Sequence, residues 1–225
     1  DNSTDSKDWE KTFTLHPSFT EYIRVMNHLY RGGFTYANVS KAGTVHEKVR
    51  GMDFTSSYPA VLLQERFPMS EFKYKNIMTV DQLRAWIAKN PDKCWYADFE
   101  FTEIIQTTDV SVENMSKLHE WKGNPAKLVK DTGAVLDNGK IRYAKHMTVT
   151  LCDKDFETYD RYYTWKDAAI SDFMFADYGY LPEWFTTVIK HYYKKKAYLK
   201  ANHLDGTTEY ALSKAIVNGL YGLTV

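Results

Sequence analysis

Cysteine is nearly absent: the 225 residues contain two, Cys94 and Cys152, far apart and with no second Cys or His at ligand spacing. That excludes a zinc site of the usual spacing and a disulfide framework, and fits reducing, intracellular conditions. Long hydrophobic runs are missing as well; none approaches the ~20 residues a membrane span needs, and the polar, acidic start Asp1-Asn2-Ser3-Thr4-Asp5 is unlike a signal peptide. The sequence reads as soluble and cytoplasmic, with no membrane partner. An excess of charge of one sign is also lacking, since 29 Lys and Arg balance 29 Asp and Glu. Any surface for a polyanion must therefore come from local clustering of lysines. No glycine-rich cradle ending in Gly-Lys-Ser or Gly-Lys-Thr occurs, so Gly32-Gly33 is not a phosphate loop of that kind. No internal repeat, low-complexity segment or nucleophile paired with its base stands out.

What is present begins with helical and strand signals in alternation. Ser18-Phe19-Thr20-Glu21 resembles a capping box, and Phe19, Tyr22, Ile23, Met26 and Tyr30 recur at helical spacing until Gly32-Gly33 ends the pattern. Phe34 to Val39 reads as a strand, Lys41-Ala42-Gly43 as a turn, and Val49 to Phe54 as a strand that delivers Asp53. Tyr58-Pro59 opens a helix, where proline is tolerated in the first turn because its missing donor has no partner there. Further on, Thr79 caps a helix with Leu83, Trp86 and Ile87; strands are expected over Cys94–Ile105, Met147–Cys152 and Ile170–Asp177. Asp153 caps a helix through Phe156 to Tyr163. Lys117 to Lys145 reads as a basic loop region with a hairpin signal at Asn138-Gly139. The last quarter is two helices, from Pro182 and, after the break at Gly206-Thr207, to Tyr221.

Three places carry chemistry. Asp53, beside the Ser56-Ser57-Tyr58-Pro59 turn, is a hard oxygen ligand suited to Mg²⁺; the plain alternative is an aspartate that caps the helix at Tyr58. Tyr210, Lys214, Asn218 and Tyr221 fall on one face of the last helix, opposite an apolar face of Leu212, Ile216 and Leu220. Lys190, Lys194, Lys195, Lys196 and Lys200 crowd the preceding helix, either as a solvated helix end or as a wall that attracts phosphate. Asp98 and Glu100 share a strand face, but such alternating acids belong more often to a solvated sheet surface than to a metal site. Most of the 17 tyrosines pack with a polar tip outward, leaving a few to stack on bases.

Asp53-Phe54-Thr55-Ser56-Ser57-Tyr58-Pro59 resembles motif A of the protein-primed branch of family B DNA polymerases, Asp-x-x-Ser-Leu-Tyr-Pro. Lys214 to Gly222 resembles motif B, Lys-x-x-x-Asn-Ser-x-Tyr-Gly, and Tyr30-Arg31-Gly32-Gly33 the Tyr-x-Gly-Gly element. The resemblance implies an α+β chain: part of a palm over 1–69, a mixed α/β terminal-protein region inserted over 70–180, and two fingers helices over 181–225. It implies that Asp53 and the carbonyl of Phe54 bind Mg²⁺ or Mn²⁺, with Asp53 catalytic. Tyr58 would sit under the deoxyribose; Lys214 with Lys196 or Lys200 would bind triphosphate; Asn218 and Tyr221 would line the nascent base pair. Tyr30, Gly32, Gly33, Ser56 and Gly222 would contact DNA. Implied partners are DNA template and primer, dNTP and a priming terminal protein, in a host cytoplasm if the gene belongs to a phage or plasmid. Ser57 and Gly219 depart from the motifs, where leucine and serine are usual.

No Tyr-x-Asp-Thr-Asp motif follows, so the expectation is an internal piece of a polymerase that lacks its second metal-binding aspartate and does not polymerise DNA alone. A noncatalytic nucleic-acid or terminal-protein binding module of the same fold is the alternative, and an unrelated α+β domain a third.

Overall fold

The computed structural model describes residues 27–31, 33–35, 43–53 and 56–222. Its elements, in chain order, are α1 (Ser57–Gln64), β1 (Phe67–Pro68), β2 (Lys73–Tyr74), α2 (Val80–Lys89), β3 (Lys93–Gln106), a short 3₁₀ turn (Met115–Lys117) and α3 (Pro125–Thr132). There follow β4 (Val135–Asp137), β5 (Lys140–Cys152), α4 (Asp153–Tyr162), β6 (Tyr163–Thr164), β7 (Asp167–Gly179), α5 (Glu183–Ala201) and α6 (Thr208–Gly222). The fold is α+β, and the chain forms two compact units: Asp1–Ala42 with Ser70–Asp177, and Gly43–Met69 with Tyr178–Val225.

In the first unit an antiparallel sheet runs β7-β3-β5-β4, with β2 on β7 and β6 on the end of β3. Alternation along β3 sends Trp95, Ala97, Phe99 and Phe101 into the core. There Phe99 and Phe101 stack at 5.6 Å and meet Phe156 and Tyr159 of α4 at 5.2 and 5.5 Å. Trp86 of α2 packs edge-on against Phe173 of β7 at 4.8 Å. The hydrophobic cluster continues through Leu83, Leu118, Leu128 and Ile141, all buried. These aromatic side chains each remove large apolar areas from water, which is why the sheet and its helices stay together.

Local chemistry sets the ends of the elements. Thr79 caps α2 by accepting from the Gln82 amide, while Gln82 Oε1 accepts from the Met78 amide at 2.9 Å. Asn138 and Gly139 both adopt positive φ, 49° and 77°, and turn β4 directly into β5 with Asp137 opposite Lys140. The strand expected over 147–152 is thus the second half of a longer one, and the supposed basic loop 117–145 holds a 3₁₀ turn, α3 and that hairpin. Within it, Asn124 caps α3 by accepting from the Lys127 amide and Pro125 is its first helical residue. The cap of α4 is Cys152, one residue before the expected Asp153.

The second unit is built on α1, α5 and α6. Leu62 of α1 packs with Phe185 and Ile189 of α5, flanked by Leu63, Phe67 and Leu181. β1 pairs with the end of β7, Phe67 opposite Gly179. Among the described side chains of α6, Ser213 and Val217 are buried, whereas Leu212 is 58 % exposed. Of the apolar face expected at Leu212, Ile216 and Leu220, Leu212 is thus turned to solvent and Ile216 is half-buried, while the side chain of Leu220 lies outside the described residues. The expected strand Val49–Phe54 is absent over 49–53, an irregular segment with Val49 and Met52 exposed and no ladder partner among the described residues. An extended sequence becomes a strand only when another strand takes its backbone hydrogen bonds. The helix expected from Ser18 through Tyr30 lies outside the described residues up to 26; 27 and 28 are helical, but 29 is a turn and Tyr30 is in no helix, so the helix ends earlier than its spacing suggests. Phe34–Val39 lies outside the described residues except at 34 and 35, which are in no strand.

Candidate functional site

A cavity of about 620 Å³ opens in the second unit. Asp53, Ser56 and Tyr58 reach it from the start of α1, Tyr193, Lys196 and Lys200 from α5, and Tyr210, Lys214 and Asn218 from α6. Helical spacing explains the last two groups: residues three or four apart rise along one face of each helix. Asp53 does not cap α1. That position belongs to Ser56, in a left-handed conformation (φ 56°) with no side-chain capping bond. Its hydroxyl instead accepts a hydrogen bond from Lys196 Nζ at 2.7 Å.

Electrostatics mark this cavity as a site for anions. Burial, then the charges of Lys214 and Lys200, hold the Lys196 ammonium below its ordinary pKa. Three cations thus crowd together, and among the described lining residues Asp53 supplies the one carboxylate. Lys196 also lies 5.6 Å from the centre of the Tyr193 ring, a cation–π contact that steadies its stem. The lysine-rich run divides by geometry: Lys196 and Lys200 line the cavity, Lys195 pairs with Glu209 at 2.7 Å, and Lys190 and Lys194 are exposed away from it. Tyr193, which sequence reasoning missed, was signalled only by its place three residues before Lys196.

Of the other expected site residues, Phe54 and Gly32 lie outside the described residues, and Tyr221 and Gly222 are placed only as the last turn of α6. Tyr30 and Gly33 belong to the first unit. Tyr30 is 43 % exposed with Lys117 Nζ 5.9 Å from the centre of its ring, and a Cβ at Gly33 would meet nothing within 4 Å. The first unit also holds an ionic cluster that periodicity does not reveal. Arg31 donates to Glu113 Oε2 at 2.8 Å and Asp155 Oδ2 at 2.7 Å; Tyr159 donates to Glu113 Oε2 at 2.7 Å. Burial alone would lower the Arg31 pKa, but the charges of Glu113 and Asp155 outweigh it and raise it. Burial, with Glu113 beside it, raises the Tyr159 phenol well above its usual range. Asp98 and Glu100 do face the same side of β3, where Asp98 accepts from Thr150 Oγ1 at 2.6 Å and Glu100 lies 3.7 Å from His146: a paired sheet surface.

The chain matches the family DNA polymerase type B, organellar and viral, over residues 4–224. No curated protein sequence matches it. Among solved structures, phi29 DNA polymerase complexed with primer-template DNA and incoming nucleotide substrates is 19 % identical, with a TM-score of 0.59 over 96 % of this chain and 33 % of that one. Its post-translocation binary complex with primer-template DNA gives 15 %, 0.58, 96 % and 32 %, and the orthorhombic crystal form 19 %, 0.55, 96 % and 33 %. At these identities the likeness is one of fold, and the chain spans about a third of the length of the phi29 polymerase.

Proposed function

The chain belongs to the family DNA polymerase type B, organellar and viral, and from that premise we propose that the cavity of its second unit takes the incoming deoxynucleoside triphosphate during template-directed, protein-primed synthesis. The observation that carries this reading is the convergence of Lys196, Lys200 and Lys214 beside Asp53 and Tyr58 on one cavity. Three ammonium groups in a confined space repel one another until an anion arrives, so the charge is complementary to a triphosphate. Phosphoryl transfer asks a protein chiefly for positioning and charge neutralisation, and this wall supplies both.

The family implies a divalent ion, Mg²⁺ or Mn²⁺, and the residues fit one part of its shell. Mg²⁺ is commonly held by one or two carboxylates together with substrate phosphates, and Asp53 is such a carboxylate beside a phosphate-seeking wall. No cluster of three metal-ligating side chains occurs among the described residues; triphosphate oxygens, with the Phe54 carbonyl, would complete the shell. When bound, the ion supplies further neutralisation of the phosphates. Lys196, Lys200 and Lys214 hold the phosphate tail, Tyr58 lies against the sugar, and Asn218 and Tyr221 line the base pair. Tyr30, Gly32, Gly33, Ser56 and Gly222 contact template or primer, and the stretch 70–180 engages the terminal protein. The phi29 complex with primer-template DNA and incoming nucleotide, and the binary complex with primer-template DNA, support DNA and dNTP as partners.

Binding separates the cavity lysines from their neighbours. In the protein as its gene encodes it, Lys214→Ala is expected to weaken dNTP binding about tenfold or more, the loss of one charge-assisted contact, while Lys190→Ala leaves it unchanged. Calorimetric titration with dNTP and Mg²⁺ reads the difference; equal effects from both would contradict the assignment and favour a noncatalytic binder whose lysines act only as a diffuse charge.

A further inference from the structure

Residues 30, 31 and 33–35 form neither helix nor strand, so side chains must fix their course. Three contacts do so in the first unit. Lys117 Nζ reaches the Asn27 carbonyl at 3.4 Å and sits over the Tyr30 ring; Lys140, 8 % exposed, lies 4.5 Å from the centre of the Phe34 ring; and Arg31 inserts between Glu113 and Asp155. The Arg31 contact is the most built of the three. Its fork also donates to the carbonyls of Thr150 at 3.3 Å and Leu29 at 3.4 Å, so it grips its own segment as well as β5.

The acceptors are themselves held in place. Glu113 is 2 % exposed, takes the Tyr159 hydroxyl on Oε2 and its neighbour Asn114's amide on Oε1 at 2.8 Å. Its own amide donates to Tyr163 Oη, which donates onward to the Ile141 carbonyl at 2.8 Å. Asp155 accepts from the Cys152 amide at 3.2 Å. A buried ionic group of this kind is a poor source of stability, because desolvation offsets most of the attraction, but its directional bonds define one geometry. An apolar residue at position 31 would cover the same surface without specifying the angle of the residues on either side.

We propose that Arg31, clamped by Glu113 and Asp155, is a positioning residue that presents Tyr30 and the Gly33 backbone to the DNA. The inference rests on the reading that Tyr30, Gly32 and Gly33 contact template or primer; it adds that the first unit sets the aim of that contact through one guanidinium. Lysine at position 31 keeps the charge but loses the planar fork, and Glu113→Gln keeps the volume but loses the anion.

The test measures affinity for a fluorescent primer-template duplex by anisotropy, with dNTP affinity and the thermal unfolding midpoint recorded alongside, for the gene-encoded protein carrying Tyr30→Ala, Arg31→Lys or Glu113→Gln. The expectation is a loss of duplex affinity of about tenfold in both Arg31→Lys and Glu113→Gln, in folded protein with dNTP affinity unchanged. Should Tyr30→Ala leave duplex affinity intact, the DNA-contact reading itself fails. Should Tyr30→Ala weaken it while folded Arg31→Lys and Glu113→Gln do not, that reading stands and the positioning role is overturned. Loss of folding in both Arg31→Lys and Glu113→Gln would make the cluster core support and would overturn the proposal equally.

Discussion

At the scale of single residues, the cavity is governed by one lysine under pressure. Lys196 has a folded-state pKa below its ordinary 10.5, from burial first and then Lys214 and Lys200. Between the folded and unfolded values the unfolded chain binds more protons, so stability from this group rises with pH across that window, while the charge available to a triphosphate falls. Affinity for dNTP should therefore begin to decline with rising pH below 10.5, as read from titrations run upward from neutrality. Ser56→Ala removes a hydrogen bond to the charged form and should bring the decline to still lower pH. An affinity that stays level in both proteins until pH 10.5 would show that Lys196 takes no part.

Elements show which local rules the chain obeys. Gly133 ends α3 at φ 65°, and a Cβ there would stand 3.0 Å from that of Lys145. Gly133→Ala is expected to destabilise the first unit by about 1 kcal/mol or more, visible as a lowered denaturation midpoint at unchanged slope. Thr79→Ala, which removes the cap of α2, should cost about 1 kcal/mol in the same experiment. Leu83→Ala, beneath that helix in the core, should cost about 2–5 kcal/mol.

These elements also show what the sequence discloses. Thr79, Asn138-Gly139 and the first-turn Pro59 act through neighbours a few residues away, so capping and turn rules read them correctly. The alternation of β3 was legible because one face is wholly buried. Val49 to Phe54 misled because β-forming side chains say nothing about whether a partner strand exists. Leu212 misled because helix periodicity defines faces without saying which one meets a neighbour; the buried positions are Ser213 and Val217 among the described side chains. In the cavity, the spacing of Tyr210, Lys214 and Asn218 was visible on one helix, whereas the choice of Lys196 and Lys200 over Lys190 and Lys194 depends on packing. The Arg31 cluster joins positions 31, 113 and 155, and no local pattern connects residues so far apart.

For the whole molecule, a balanced net charge coexists with a cavity of concentrated cations, so attraction of an anion depends on where charge sits and not on its sum. Among the described residues no helix is long and apolar enough to cross a membrane. Membership of the polymerase family and the shared fold direct attention to the second unit, in which the acidic and basic groups meet. The most direct measurement is nucleotide incorporation on a primed template by the gene-encoded protein with Asp53→Ala. The account predicts loss of incorporation by about 10²-fold or more, with the fold retained, as expected when the carboxylate that would hold the charge-neutralising divalent ion is removed. Normal incorporation by a folded Asp53→Ala protein would contradict it.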